Sequence, residues 1–196
     1  MALVLITAPT VEPVSLAEAK AHLRIDIDDD DVLIGRLITT ARQYLEENRT
    51  KPRLAMINQT WEYIADCWPA GDTLELRPCP LQSVTSIKYT DSAGVETTFS
   101  SSNYLVDIYS KPGRVRLKST ANWPSVTLRE LNGLAVRFVA GHGASSTAVR
   151  EQWRQSILLL VGHWYENREP MLTTGMMSSK LSHTIDDLMR DWNVGR

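Results

Sequence analysis

The acidic run ahead of the second predicted helix carries residue types that could bind a hard cation. Asp26, Asp28 and Asp30 alternate as carboxylates do at the start of a calcium-binding loop. Such a loop also needs glycine at its sixth position and a bidentate acid at its twelfth, where Asp31 and Leu37 stand. We therefore interpret the aspartates as residues that cap helix two and favour the positive end of its dipole.

A second candidate site is the pair His163 and Glu166, which lies on one face of a predicted helix, as part of a di-iron site would. A working site needs further acidic ligands on partner helices, and the sequence has no second Glu-x-x-His. We interpret His163 as a half-buried residue that is hydrogen-bonded at the helix end. His22, His142 and His183 are isolated, and no nucleophile elbow or Cys/His signature is present. The sequence therefore predicts no catalytic residue, no metal site and no cofactor.

Two further features have simple structural interpretations. The segment Gly141-His-Gly143 precedes a predicted helix and suggests an anion cradle, but the Gly-Lys-Ser/Thr of a phosphate-binding loop does not follow. A turn that leads from a strand into a helix explains both glycines. Cys67 and Cys79 are too few for a disulfide framework, and this suits a reducing cytosol.

The composition limits the classes of function. The chain of 196 residues has 43% hydrophobic and 22% charged residues, as a globular protein of about one domain does. Its net charge of −2 disfavours extensive binding to a phosphate backbone. No stretch has the roughly 20 apolar residues needed to span a bilayer. We expect a cytoplasmic product with no membrane partner, unless it leaves the cell inside a particle.

The predicted elements that must position these residues include an N-terminal extended segment and three helices. The apolar run of residues 1–9 is interpreted as an edge strand or a docking arm. Ser15 and Glu18 have capping-box spacing and predict a first helix over about 15–24. Apolar residues three and four apart predict a second helix over roughly 30–48. A third, central helix is expected over about 147–166.

The middle of the chain has a different periodicity. From Asn58 to Ala140, β-rich runs alternate with Gly, Pro and Asp clusters, and 91–94 and 111–113 read as hairpin turns with glycine at positive φ. Residues 170–182 lack periodicity and are interpreted as a mobile loop. Thr184 and Asp187 have capping-box spacing, which predicts a last helix over about 184–192.

These elements predict an α+β fold in which a helical bundle has a β-rich insertion between helices two and three. The bundle consists of two N-terminal helices, a long helix and a short C-terminal helix. We expect one domain over 1–196, with the insertion over 54–142 and a flexible loop plus C-terminal helix over 170–196. Neither part is expected to fold alone, because the apolar faces of helices two and three need each other.

Several segments, taken in their order along the chain, form a recognisable pattern. They are Pro13-Val-Ser-Leu-Ala-Glu-Ala-Lys-Ala-His-Leu-Arg24, the run from Leu33 to Glu46, Asn58-Gln-Thr-Trp61, Leu76 to Ile87, Val136 to Gly143 and Ile157 to Glu169. Together they resemble the head-tail connector (adaptor) proteins of tailed bacteriophages. The similarity is collinear from about 13 to 170, and residues 1–12 and those after 170 match nothing recognisable.

The resemblance implies a structural subunit of a virion neck, assembled in the host cytoplasm. The family resemblance implies a homo-oligomeric ring, dodecameric in the particle, that sits below the portal protein. Genomic DNA would pass through the ring without sequence-specific binding, and a stopper or another neck or tail protein would dock on it. A stopper or tail terminator is the alternative, and an enzyme or small-ligand binder is a third hypothesis.

If the chain forms such a ring, we expect aromatic and arginine side chains on the helix faces to make its contacts. An ordinary core or solvated position is the competing interpretation for each of them. The interface candidates are Arg42, Tyr44, Trp153, Arg154, Trp164 and Arg168.

Overall fold

The computed structural model describes residues 1–47, 53–167 and 179–189. Four helices and eight strands lie within these residues, so the α+β prediction is confirmed. Short 3₁₀ turns occur at Ser101–Asn103 and Ser146–Ala148. In chain order the elements are β1 (Ala2–Thr7), α1 (Leu16–Leu23), α2 (Asp31–Glu46), β2 (Gln59–Ala65), β3 (Thr73–Leu76), β4 (Leu81–Thr90), β5 (Glu96–Phe99), β6 (Tyr104–Asp107), β7 (Gly113–Leu117), β8 (Leu134–Ala140), α3 (Glu151–Glu166) and α4 (Ser179–Leu188).

The strands form two antiparallel sheets. The larger sheet has the order β1-β2-β8-β4-β5, and the smaller has the order β3-β7-β6. Burial alternates along β3, β7 and β8, as expected when one face of each sheet lies on a core. Apolar residues from both inner faces pack into one core, which includes Trp61, Leu74, Val115, Val136 and Phe138.

The first helix begins as the sequence predicts. The Ser15 hydroxyl accepts a hydrogen bond from the Glu18 amide at 3.2 Å. The Glu18 carboxylate accepts one from the Ser15 amide at 2.8 Å. This reciprocal capping box satisfies two amides that would otherwise lack partners at the helix start. The helix ends at Arg24, which has a left-handed backbone conformation.

The helices form a second core. The apolar face of α2 packs against α3, which also contacts α1 and α4. The buried residues of this core include Ile34, Ile38 and Leu45 from α2, Trp153, Ile157 and Leu160 from α3, and Ile185 from α4. Helices two and three therefore bury their apolar faces on each other, although 104 residues, which include strands β2 to β8, separate them along the chain.

Three extended segments join the two cores, and we call 53–58, 79–82 and 141–143 the waist. Ala55 belongs to the sheet core, whereas its neighbour Met56 belongs to the helix core. The Ala55 amide donates to the Cys79 carbonyl at 2.8 Å. The Asn58 amide donates to the Gly143 carbonyl at 2.9 Å. The waist therefore fixes the sheets against the helices through backbone hydrogen bonds.

The structure corrects several predicted boundaries. Helix α3 begins at Glu151, because Ser146–Ala148 is a 3₁₀ turn and Arg150 is extended. Helix α4 begins at Ser179, so Thr184 lies in its interior and residues 179–182 are not loop. The start is earlier because Leu181, Ile185 and Met189 form one row that packs on the helix core. The remainder of the predicted loop, 170–178, lies outside the described residues.

The two predicted hairpin turns both connect antiparallel neighbours, but they differ in detail. Gly94 has φ +84° between β4 and β5, as predicted. Gly113 instead is the first residue of β7, and positive φ is not the reason for glycine there. A Cβ at Gly113 would lie 2.3 Å from the Leu81 Cβ. Close approach of two backbones therefore requires this glycine.

Candidate interaction surfaces

The acidic run ahead of α2 joins helices and shows no metal-ligand arrangement. The Lys20 amino group contacts Asp28 at 2.5 Å and Asp31 at 2.7 Å. Asp30 occupies the N-cap position of α2 without a side-chain capping bond, and it accepts a hydrogen bond from the Tyr165 hydroxyl. The predicted capping role is therefore wrong for Asp30, whose carboxylate ties α2 to α3. Within the described ranges, no cluster of three His, Cys, Asp or Glu residues could hold a metal ion.

The segment around His142 is a turn, as the sequence predicts. Gly141 has φ +147°, and a Cβ there would lie 2.5 Å from the Asn58 amide nitrogen. The His142 ring packs edge-on against Trp153, with ring centroids 4.9 Å apart. Burial and the nearby Lys111 and Arg150 lower the pKa of His142 to about 4. The imidazole is therefore neutral at physiological pH.

A buried ion pair explains the first interface candidate. The Arg42 guanidinium donates to Glu46 and to Glu12, each at 2.7 Å. Glu46 also accepts from the Met56 amide at 2.8 Å and from the Gln59 side-chain amide at 2.9 Å. Burial raises the pKa of Glu46. Arg42 and these two donors act in the opposite direction and reduce the rise. Arg42 thus ties α2 to the segment before α1 through Glu12, whereas Glu46 joins α2 to the waist. The side chain of Arg42 is buried within the subunit and offers little surface to a subunit interface.

Trp153 and Arg154 are also engaged within the chain. Trp153 is buried in the helix core, so it offers no surface to a partner and is corrected to a core residue. Arg154 donates to the Pro13 carbonyl at 2.9 Å and pairs with Glu18 and Glu151. Its side chain therefore holds the segment before α1 against α3, with only a small fraction exposed.

The remaining candidates differ in exposure. Tyr44 on α2 is half exposed, and its ring meets Trp164 on α3 in a T-shaped contact with centroids 5.9 Å apart. This aromatic pair is the part of the helix surface that keeps the predicted interface character. Arg168 lies outside the described residues.

Sequence reasoning missed an apolar surface on the β6–β7 hairpin. Leu105, Val106, Ile108 and Tyr109 are exposed, and Tyr109 is 90% exposed. The signal was present in the run Tyr104-Leu-Val-Asp-Ile-Tyr109, which is apolar at successive positions instead of alternating. A strand that is apolar on both faces indicates a covered surface in an assembly.

The outer face of the larger sheet is polar and charged. It lines a shallow pocket of about 250 Å³. Arg137 pairs with Glu62 at 2.9 Å, and Lys88 pairs with Glu96 at 2.7 Å. Arg129 donates to the Asn132 carbonyl. Because these cations are paired with carboxylates or engaged by backbone, the face does not form a basic patch suited to gripping DNA. No helix in the described part of the chain has the length and apolarity needed to cross a membrane.

Comparison with solved structures finds proteins of the same fold along the whole chain. The neck of an empty gene transfer agent (GTA) particle computed with C6 symmetry contains a chain 25% identical, with a TM-score of 0.80. The virion of the native GTA particle contains one at 23% identity and a TM-score of 0.78. The neck of the native GTA particle computed with C12 symmetry contains one at 24% identity and a TM-score of 0.75. Each alignment covers 100% of this chain and 97% of the other.

The sequence comparisons differ in outcome. A search of curated proteins finds no match. The family model of phage gp6-like head-tail connector proteins matches residues 13–67, which span α1, α2 and β2. The family match over residues 13–67 and the full-length structural similarity together confirm the predicted resemblance of this chain to the phage head-tail connector proteins.

Proposed function

We propose that the chain is a ring-forming adaptor subunit in the neck of a phage or phage-like particle. In this role it binds the portal protein on one side and a stopper or another neck or tail protein on the other. Genomic DNA passes through the ring lumen. The single observation that carries the proposal is the full-length similarity to a chain in a GTA neck, at 25% identity and a TM-score of 0.80.

The proposed ring has twelve subunits. Similar chains occur in GTA necks computed with C12 and with C6 symmetry. A ring of twelve is compatible with both, because six-fold symmetry is contained in twelve-fold symmetry. A heterologous interface that closes on itself generates such a ring from one kind of subunit.

The charge distribution supports a passive role toward DNA. The net charge is −2, and the cations on the larger sheet's outer face are paired with carboxylates or engaged by backbone. Few phosphates would be neutralised by such a surface, so DNA could slide past it. The role is structural: the ionic contacts of Arg42, Lys20 and Arg154 hold elements together inside the subunit.

The helices are proposed to pack side by side with those of the neighbouring subunits. The pair of half-exposed Tyr44 and partly buried Trp164 is the contact that we propose on the helix layer. A different position in the neck, as a stopper or tail terminator, is the competing role, since these proteins also form rings.

Electron microscopy of the chain mixed with its cognate portal protein tests the proposal. We expect an added ring of density below the portal, absent from portal alone. Binding to tail-tube proteins without added density on the portal would contradict the adaptor role and support the terminator role. A chain that is monomeric without portal would not contradict the adaptor role, because ring closure can require binding to the portal.

A further inference from the structure

Two edge strands of the protein expose apolar side chains, and they belong to different sheets. Strand β1, Ala2–Thr7, carries neither charge nor proline, and Val4, Leu5 and Ile6 are 41–43% exposed. Strand β6 exposes Leu105 by 59%. Natural proteins protect free sheet edges with charge, proline or a covering element. Since β1 and β6 carry little such protection, we infer that another chain covers them.

The other edge of the larger sheet supplies a contrast. Strand β5 is short and mostly polar, and Glu96 at its start pairs with Lys88 on β4. An edge of this kind is protected against pairing with another strand. The apolar character of β1 and β6 is therefore not shared by β5.

The two apolar edges lie on opposite sides of the stacked sheets. Strand β6 lies against β4, toward the β5 side of the larger sheet. Strand β3, at the other edge of the smaller sheet, lies beside β1 and β2, where an apolar pocket of about 440 Å³ opens. Its lining includes Met1, Leu3, Tyr63 and Leu74. One side thus presents protruding apolar residues, and the other side presents a cavity.

The protrusion and the pocket lie at the same height along the strands. Leu105 on β6 is paired with Arg116 on β7, which is paired with Thr73 on β3. Thr73 lines the pocket. Rotation about an axis that runs along the strands preserves height, so it carries Leu105 of one copy toward the pocket of the next. A protrusion on one side of a subunit and a pocket on its other side can form a heterologous contact between copies. A closed ring is built from contacts of this type.

The hairpin beyond β6 is rigid before any partner binds. The Asp107 carboxylate accepts hydrogen bonds from the Tyr109 amide at 3.0 Å and from the Ser110 hydroxyl at 2.7 Å. It also accepts from the Arg114 side chain at 2.9 Å. These bonds fix the turn that displays Tyr109. A turn whose backbone is already ordered loses little entropy on binding, and a tyrosine side chain has only two χ angles to immobilise, which favours its use as an anchor.

We propose that the β6–β7 hairpin of one subunit docks on the β1 side of the next copy of this chain. Leu105 enters the pocket between β1 and β3, and Tyr109 lies against the exposed apolar residues near the end of β1. This inference rests on the proposed ring and names the surfaces that close it.

A charge substitution at Leu105 tests the proposal. The Leu105→Asp variant should remain folded, because the side chain is exposed in the single subunit. Its occupancy as a ring on the portal should fall roughly tenfold or more, since the contact would have to place a carboxylate in an apolar pocket. The matched control is Leu131→Asp, at a residue that is 70% exposed in the loop before β8. Equal ring formation by wild type and Leu105→Asp would overturn the proposal.

A disulfide gives a second, positive readout. We propose Leu105→Cys with Thr73→Cys in a Cys67→Ser background, because Cys67 is an exposed thiol whereas Cys79 is buried. Within one subunit these positions are two strand spacings apart, about 10 Å, which exceeds the roughly 7 Å reach of a disulfide. Oxidation of assembled rings should therefore give a ladder of covalent multimers. A mixture of the two single variants should give dimers alone.

A wrong hairpin contact and a wrong adaptor role would give different results in these experiments. Rings on the portal that give no ladder on oxidation, together with normal assembly of Leu105→Asp, would overturn the hairpin contact and leave the adaptor role intact. The absence of rings for the wild-type chain would instead count against the adaptor role.

Discussion

Arg42 and Glu46 lie one turn apart on α2, and their side chains form a buried ion pair with a nitrogen–oxygen distance of 2.7 Å. Glu46 is also the shared acceptor for the Met56 amide and the Gln59 side chain. One carboxylate thus joins the second helix to the waist, where the chain enters the sheets.

Removing this carboxylate should destabilise the whole subunit. We expect Glu46→Ala to lower the free energy of unfolding by about 3–5 kcal/mol, because it leaves two buried donors without their acceptor and removes one of the two carboxylates that neutralise the buried guanidinium. The matched control is Glu47→Ala, at the next residue, which breaks the exposed pair with Arg53 and should cost under about 1 kcal/mol. Urea denaturation measures both. Similar losses for the two variants would contradict the role of Glu46.

Gly113 should not tolerate a methyl group. A Cβ at this position would lie 2.3 Å from the Leu81 Cβ, so Gly113→Ala should force β7 and β4 apart at a cost of about 1–3 kcal/mol. Gly71→Ala is the control, because a Cβ at Gly71 would have no atom within 4 Å and the backbone there has an ordinary φ. Thermal unfolding of the two variants provides the comparison, and a Gly113→Ala protein as stable as wild type would disprove the close approach.

His142 should make stability depend on pH below neutrality. The unfolded chain takes up a proton near pH 6.5, whereas burial, Lys111 and Arg150 hold the folded pKa at about 4. Stability from this residue is therefore complete above pH 6.5 and decreases as the pH falls to about 4. Since the ring is partly exposed, we expect a decrease on the order of 2 kcal/mol.

Urea denaturation at pH 7, 5.5 and 4.5 measures this dependence. His142→Gln should remove the contribution of this residue to the slope, whereas His183→Gln, at an exposed position on α4, should retain it. An unchanged slope in His142→Gln would show that other groups cause the acid sensitivity.

The capping box of α1 should contribute measurably to stability. We expect Ser15→Ala to cost about 1 kcal/mol, because the Glu18 amide loses its acceptor at the helix start. Ser92→Ala, in the β4–β5 turn where the Ser92 amide bonds the Thr127 carbonyl through backbone, serves as the control. Loss of helical signal together with a lower melting temperature for Ser15→Ala alone would support the prediction, and equal effects would refute it.

The sequence predicted the features that depend on local patterns. Ser15 and Glu18 are three residues apart, and this spacing suffices to specify a capping box. The same pattern at Thr184 and Asp187 was misleading, because the apolar row of Leu181 and Ile185 extends the helix toward its N-terminus. Packing on the helix core therefore outweighed a local capping preference.

The features that could not be predicted depend on distant partners. Arg42 is buried because Glu12, thirty residues earlier, and Glu46 surround it, and its residue type alone is equally compatible with an interface. The exposure of Leu105 follows from its place on the outer face of the smaller sheet, opposite the exposed Arg116. The apolar run in β6 signals an exposed apolar surface, but which face of the strand lies on the core is set by long-range strand pairing.

The waist also determines how a force on the sheets is transmitted to the helices of the same subunit. Ala55 and Met56 are consecutive residues anchored in different cores, so a bend between them would have to extract a buried side chain. We therefore expect the sheets and the helices to move as one rigid unit. A push applied to the hairpin of one subunit would displace its helix layer by the same rotation, and neighbours in contact with that layer would be turned with it.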